Sequence, residues 1–243
     1  MARPSSKPLR ATRRIERRYR LQLDKIARQI GDLVRGVGDL ANPHIVDRVV
    51  TALRRYAEAV RPWASSVGDK MLSEVDAVNR REWRANTNGM SVALRNELQN
   101  TPTGSVMNAA LAEQVKLITS LPTRAAERVH RLAQETLITG RRPAEIVEDI
   151  MAQGDVTAAQ ARTIARTEIG RVQTELTRTR ALSIGSEGYI WRTARDVDVR
   201  ESHAKMNGKF VRWDSPPTLD GMTGHAGQLP NCRCDTEVVF PDE

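Results

Sequence analysis

From Ile15 to Val78 apolar residues return every three or four positions, and that period commits this part of the chain to helices. The first stripe runs Ile15, Tyr19, Leu23, Ile26, Ile30, Leu33 and Val37, and Gly36, Gly38 and Asn42-Pro43 close it. The second runs Ile45, Val49, Leu53, Tyr56, Val60, Trp63, Val67, Met71, Val75 and Val78, up to a break at Asn86-Thr87-Asn88-Gly89. Pro62 lies inside it and either bends one long helix or divides it into two. Only nine of the 243 residues are aromatic, so a core built by these helices has to be aliphatic and rich in alanine. The stripes need each other, or a partner, to be covered. Polar substitutions at Leu53, Val60 and Val67 are expected to break such a contact.

Further breaks are read at Thr101-Pro102-Thr103-Gly104, Leu121-Pro122, Gly140-Arg141-Arg142-Pro143 and Gln153-Gly154-Asp155. Pro122 and Pro143 are each placed at a first helical position. Thr157-Ala158-Ala159-Gln160 has the form of a capping box opening a helix that ends at Leu182 or Ile184, before Gly185. Beyond Gly185 the texture changes. Five of the nine aromatic residues lie there, and three strands are expected over residues 189–193, 209–213 and 236–240. The fold class is mainly α with a small α+β C-terminal domain. The segments are a basic flexible arm (1–14), an elongated helical region (15–114) and a C-terminal domain (115–243).

Lys and Arg outnumber Asp and Glu by 38 to 30, and residues 1–20 hold eight basic residues against one acid, Glu16. Arg10, Arg13, Arg14, Arg17, Arg18 and Arg20 form the dense part of that segment. Such a concentration meets phosphates or an acidic protein rim, or is simply a solvated tail. No stretch reaches the roughly 18 apolar residues of a membrane span, and no apolar run follows the basic N-terminus as a secretory signal requires. No membrane partner is expected.

Groups suited to metal or nucleophile chemistry gather near the C-terminus: His203, His225, Cys232 and Cys234. Two imidazoles and two thiolates suit tetrahedral zinc, although one residue between the cysteines is tighter than the usual two to four. The alternatives are cysteines buried as small apolar residues, with His203 bonded to a carbonyl or to Asp198, or a reactive thiol with a histidine base. Asp198, Arg200 and His203 are expected to converge at a corner. His203, Asn207 and His225 only loosely imitate a nuclease arrangement. Arg162, Arg166, Glu168 and Arg171 share a helix, where Glu168 and Arg171 are spaced to pair.

Ala165-Arg166-Thr167-Glu168, then Trp191, Asp198-Val199-Arg200-Glu201-Ser202-His203, Asn207-Gly208 and finally Pro230-Asn231-Cys232-Arg233-Cys234 form one combination. It resembles the phage Mu F-type head morphogenesis family over roughly residues 115–240. The resemblance implies a minor capsid protein of a tailed phage or prophage, associated with the portal and assisting head assembly and DNA packaging, retention or exit. It implies a structural protein without catalytic residues and without a required cofactor. Its partners would be the portal or major capsid protein, with DNA held by the basic N-terminus. It would reside in the virion, at the head interior or portal vertex, after assembly in the host cytoplasm. The motif residues carried over are Arg166, Glu168, Trp191, Asp198, Arg200, His203, Gly208, Asn231, Cys232 and Cys234. Some relatives carry toxin domains after this module; none is expected in a sequence ending at Glu243. The competing readings are a metal-dependent nucleic-acid-processing enzyme and a plain DNA-binding protein.

Overall fold

The computed structural model describes residues 9–36, 42–86, 91–92, 95–96, 100–139, 143–194 and 198–241. Among the described residues the long and medium helices are α1 (Leu9–Arg35), α2 (Pro43–Ala59), α3 (Arg61–Asn86), α4 (Gly104–Thr139), α5 (Pro143–Met151) and α6 (Gln153–Ser183). Short elements follow: β1 (Gly188–Arg192), α7 (Glu201–Ala204), β2 (Phe210–Arg212), β3 (Thr218–Leu219), β4 (Met222–Thr223) and β5 (Asp235–Val239). The mainly α chain with a small α+β end is therefore as read from the sequence. The residues at 1–8, Val37, Gly38, Thr87-Asn88-Gly89 and Gly140-Arg141-Arg142 lie outside the described residues.

Local differences from the sequence reading have local causes. The first helix starts at Leu9, so residues 9–14 continue α1 instead of belonging to an unfolded arm. Pro62 leaves a break of one residue, Val60, at φ −80° and ψ −11°. The Val60 N–H still reaches the Tyr56 carbonyl at 3.0 Å, and Ala64 reaches Val60 at 2.8 Å, so the turn is continuous in hydrogen bonds. Pro122 does not start a helix but sits inside α4. Hydroxyl groups of the turn before it take up carbonyls there, Thr119 to Val115 at 2.9 Å and Ser120 to Leu117 at 2.8 Å. Thr157 does not cap a helix either. The helix begins at Gln153, and the Thr157 hydroxyl donates back to the Gln153 carbonyl at 2.7 Å. Gly185, at φ 77°, ends α6: its N–H bonds Leu182 and that of Ser186 bonds Ala181.

The chain divides into two compact units, each discontinuous in sequence. One comprises Arg17–Asp69 and Leu111–Ala165. Its core is aliphatic: Leu23, Ile26, Ile30, Val49, Leu53, Ile118, Leu121 and Ile150 are all buried. Each such side chain contributes about 1.5–3 kcal/mol by leaving water. Tyr19 donates its hydroxyl to Gln114 Oε1 at 2.8 Å. A Cβ on Gly154 would lie 3.3 Å from the Gly31 Cα, which lets α6 approach α1 closely. Leu53 and Val60 are buried within the chain, while Val67 is half-buried.

The other unit comprises Met1–Glu16, Lys70–Ala110 and Arg166–Glu243. Its sheet has the order β2-β1-β5, antiparallel throughout, with Tyr189 opposite Val211 and Val238. A second pairing, β3 with β4, was not anticipated because each strand has only two residues. Trp83, Tyr189, Trp191, Val211, Trp213, Leu229, Cys232 and Cys234 form one buried cluster. Beside it α3 and α6 are joined by a buried ion pair, Arg180 Nη2 to Asp76 Oδ1 at 2.7 Å. Asn79 bonds Arg180 and also donates to Thr177 Oγ1 at 2.8 Å.

Candidate functional site

The site is a corner where α6, α7 and the loop before β5 meet. Along one face of α6 the residues Thr167, Gly170, Thr174 and Thr177 are spaced three, four and three apart. The first three hold the loop. Thr167 Oγ1 accepts the Asn231 N–H at 3.1 Å, and Thr174 Oγ1 donates to the Ala226 carbonyl at 2.7 Å. A Cβ on Gly170 would run into the Gly227 carbonyl, so the helix touches the loop backbone directly. Gly227 itself has φ 86°, where a side chain would also meet Thr174. Arg171 donates to the Gln228 carbonyl at 3.0 Å and pairs with buried Glu168 at 3.1 Å. Sequence reasoning found Arg166 and Glu168 but missed Thr167, Gly170 and Thr174 as contacts. The signal was their small size at helical spacing.

The turn at Asn231, φ 57°, delivers Cys232 and Cys234. In extended chain, residues two apart face the same side, and both thiols point at His203 on α7. His203 Nδ1 is 3.4 Å from Cys232 Sγ and 3.6 Å from Cys234 Sγ, and all three residues are buried. The Cys234 N–H also approaches Cys232 Sγ at 3.4 Å. The Cys232 thiol is held well below the ordinary thiol range, first by the hydrogen bond from Cys234. Cys234 is pushed up by the same shared proton. Trp191 stands edge-on to the His203 ring with centroids 5.6 Å apart. Its Nε1–H is buried beside the Cys234 sulfur.

Arg200 anchors the outer side, donating to the Pro230 carbonyl at 2.6 Å, with its other nitrogen 3.5 Å from His203 Nε2. Asp198, expected beside Arg200 and His203, lines the same cavity as both and pairs with Arg233 at 2.7 Å. Arg166 pairs with Glu16 at 3.4 Å. A cavity of about 330 Å³ opens here, lined by Arg166, Asp198, Arg200, His203, Asn231 and the two cysteines among others. Asn207 and Gly208 close the other end: Asn207 Oδ1 accepts the Thr193 N–H at 3.1 Å, and Gly208, at φ 85°, bonds Trp191 at 2.8 Å.

His225 is not part of this corner. It is a core residue, with Nδ1 3.3 Å from the Tyr189 hydroxyl and its ring edge-on to Tyr189 and Trp213. Burial pushes its pKa down, helped by the charge of Arg178. A four-ligand set containing both histidines is therefore not what this fold assembles.

Residues 127–237 match the family described as phage Mu protein F like protein. Every residue of the corner from Arg166 to Cys234 lies within this Mu F-like segment. An uncharacterized protein of Haemophilus influenzae is 26% identical over 94% of this chain and 54% of its own length. The minor head protein GP7 of Bacillus phage SPP1 is 24% identical over 59% of this chain and 52% of its own. The NAD(+)–arginine ADP-ribosyltransferase EFV of Enterococcus faecalis is 34% identical over 42% of this chain but only 24% of its own length. The chain thus spans about half the length of two of these relatives and about a quarter of the third. No solved structure matches the chain. No helix among the described residues is long and apolar enough to cross a membrane.

Proposed function

We propose that this chain is a minor head protein of a tailed phage or prophage, acting as a non-enzymatic adaptor at the portal vertex during head assembly and DNA packaging. The observation that carries the reading is the Mu F-like segment itself, whose motif residues make up one corner. Similarity to a minor head protein over 59% of the chain supports it. In this reading the contacts of Thr167, Arg200 and Asn231 shape a rigid docking body. The arginines at 10, 13, 14, 17, 18 and 20 meet DNA phosphates or an acidic rim of the portal or capsid, inside the virion.

The test is co-assembly. The full chain is expressed with the portal and major capsid proteins of its own genome, and particles are separated on a gradient. The chain is expected to migrate with portal-containing particles in a few copies. Free chain at the top of the gradient, with heads assembled normally, would overturn the proposal. Cleavage of DNA by the purified chain would favour the enzyme reading instead.

A further inference from the structure

We propose that His203, Cys232 and Cys234 bind one divalent metal ion of the zinc class, with a fourth coordination position open to the adjoining cavity. The inference concerns the corner alone and stands whether or not the chain is a head protein.

Geometry carries it. In a tetrahedral site with Zn–N near ~2.05 Å and Zn–S near ~2.3 Å, each N···S edge is about 3.55 Å. The two N···S separations here are 3.4 and 3.6 Å. All three donor atoms lie within 4.8 Å of one another, and all three residues are buried. An ion held by the buried imidazole and the two buried thiols would form a cross-link between α7 and the approach to β5.

The Cys-x-Cys spacing is compatible with this because alternate residues of an extended chain face one side. Arg233, between them, turns away to Asp198. The surroundings suit thiolates. The Cys234 N–H reaches Cys232 Sγ at 3.4 Å, a backbone donor for a metal-bound sulfur. The Trp191 indole N–H, buried in the core, stands beside the Cys234 sulfur as a second donor.

Ligation through Nδ1 puts the ring proton on Nε2, facing the Arg200 guanidinium. Arg200 then gives up its loose 3.5 Å approach and keeps the 2.6 Å bond to Pro230. Two thiolates neutralise a divalent ion, so the adjoining Arg166 and Arg200 are not set against a net positive centre. A cavity of about 330 Å³ leaves room for a water at the fourth position, since one water needs about 30 Å³.

The experiment uses the untagged full chain, purified under reducing conditions, incubated with excess zinc and then desalted. Elemental analysis is expected to give about one zinc per chain. Replacement by cobalt(II) should give thiolate charge-transfer bands and the intense visible bands of a tetrahedral site. Cys232→Ser, Cys234→Ser and His203→Gln should each weaken zinc affinity at least about tenfold, the loss expected when a site is disturbed. His130→Gln, at an exposed position on α4, should retain the ion. Less than about a tenth of an equivalent in the wild-type chain would overturn the site, as would a cobalt spectrum without thiolate bands. So would full metal content in a soluble Cys232→Ser/Cys234→Ser variant. If the variants do not fold, the wild-type stoichiometry and cobalt spectrum decide.

Discussion

The hydroxyl of Thr167 accepts the backbone N–H of Asn231 at 3.1 Å, and this bond ties the middle of α6 to the turn that presents both cysteines. Asn231 holds a left-handed conformation at φ 57°, and the bond from its part-buried N–H fixes the turn against the helix. Two parts of the motif that are 64 residues apart are thereby one object.

Thr167→Val keeps the volume and removes the acceptor. It should destabilise the chain by about 0.5–1.5 kcal/mol in chemical denaturation, the net worth of one intramolecular hydrogen bond. Thr167→Ser, which keeps the oxygen, should cost less than half as much. Equal losses for the two would mean that methyl packing, and not the hydrogen bond, holds the turn.

Gly170→Ala tests the closeness of the same approach. The new Cβ collides with the Gly227 backbone carbonyl, which has no side-chain freedom with which to yield. A loss of about 1–3 kcal/mol is expected, the range for overpacking. In a free helix the same change would stabilise by about 1 kcal/mol, so a neutral or stabilising result would refute the contact.

Arg180 and Asp76 form an ion pair in which each side chain is about 5% exposed. Arg180→Met strands the carboxylate, although Arg80 still reaches it from the surface. A loss of about 3–5 kcal/mol is the usual consequence of breaking such a pair, and the Arg80 contact should bring it to the lower end. The Asp76→Leu/Arg180→Met double variant should recover much of it. No recovery would show that the network with Asn79, and not the charge pair, is what matters.

The long stripes were legible because burial on a helix imposes its period on the sequence. Leu23, Ile26, Ile30 and Leu53 are core residues as their spacing requires. Strands β1, β2 and β5 were legible from their aromatic and β-branched content. Pro122 misled because a proline can sit inside a long helix as well as at its first turn, and here α4 runs on through it. Thr157 misled because the same hydroxyl serves equally well inside a helix. At the site, residue types named Cys232, Cys234 and His203 correctly as a group but could not separate His225, which differs only in where the chain folds it. The pairing of Asp198 with Arg233 was not legible, since Arg200 and Arg233 are equivalent in type and the sequence does not show that Arg200 reaches the Pro230 carbonyl.

Glu82 and Asp235 give this unit a pH dependence of definite sign. Burial pushes Glu82 up to about 7, with the nearby Asp235 charge adding to it, and burial pushes Asp235 up to about 6. Both folded values exceed the unfolded ones near ~4, so the folded chain holds protons that the unfolded chain releases. Their contribution is therefore most favourable below about pH 4 and is lost as pH rises towards 7. The loss is on the order of 3 kcal/mol for each group. A Glu82→Gln/Asp235→Asn variant should gain stability relative to wild type as pH rises from 4 to 7 in thermal melts, its side chains remaining uncharged throughout. A difference that is flat across this window would contradict the raised values.

The basic residues of α1 give the last test, which bears on the proposed role in DNA handling. Helix α1 begins at Leu9, so Arg10, Arg13, Arg14, Arg17 and Arg18 recur on successive turns and not along a loose arm. Arg13, Arg14, Arg17 and Arg18 are exposed, whereas Arg20 is half-buried and 3.9 Å from Asp24. The four exposed arginines thus stand on the solvent side of α1, where phosphates can approach them, and Arg20 is less accessible. Each phosphate contact adds about 0.9 to the slope of log affinity against log salt. Replacing the four by glutamine should lower that slope by about 2–4 for duplex DNA of any sequence. Arg20→Gln should change it by less than about 1. These positions line the outside of α1, so the melting temperature should hardly move. An unchanged slope in the fourfold variant would remove DNA as the partner of this helix and leave an acidic protein surface in its place.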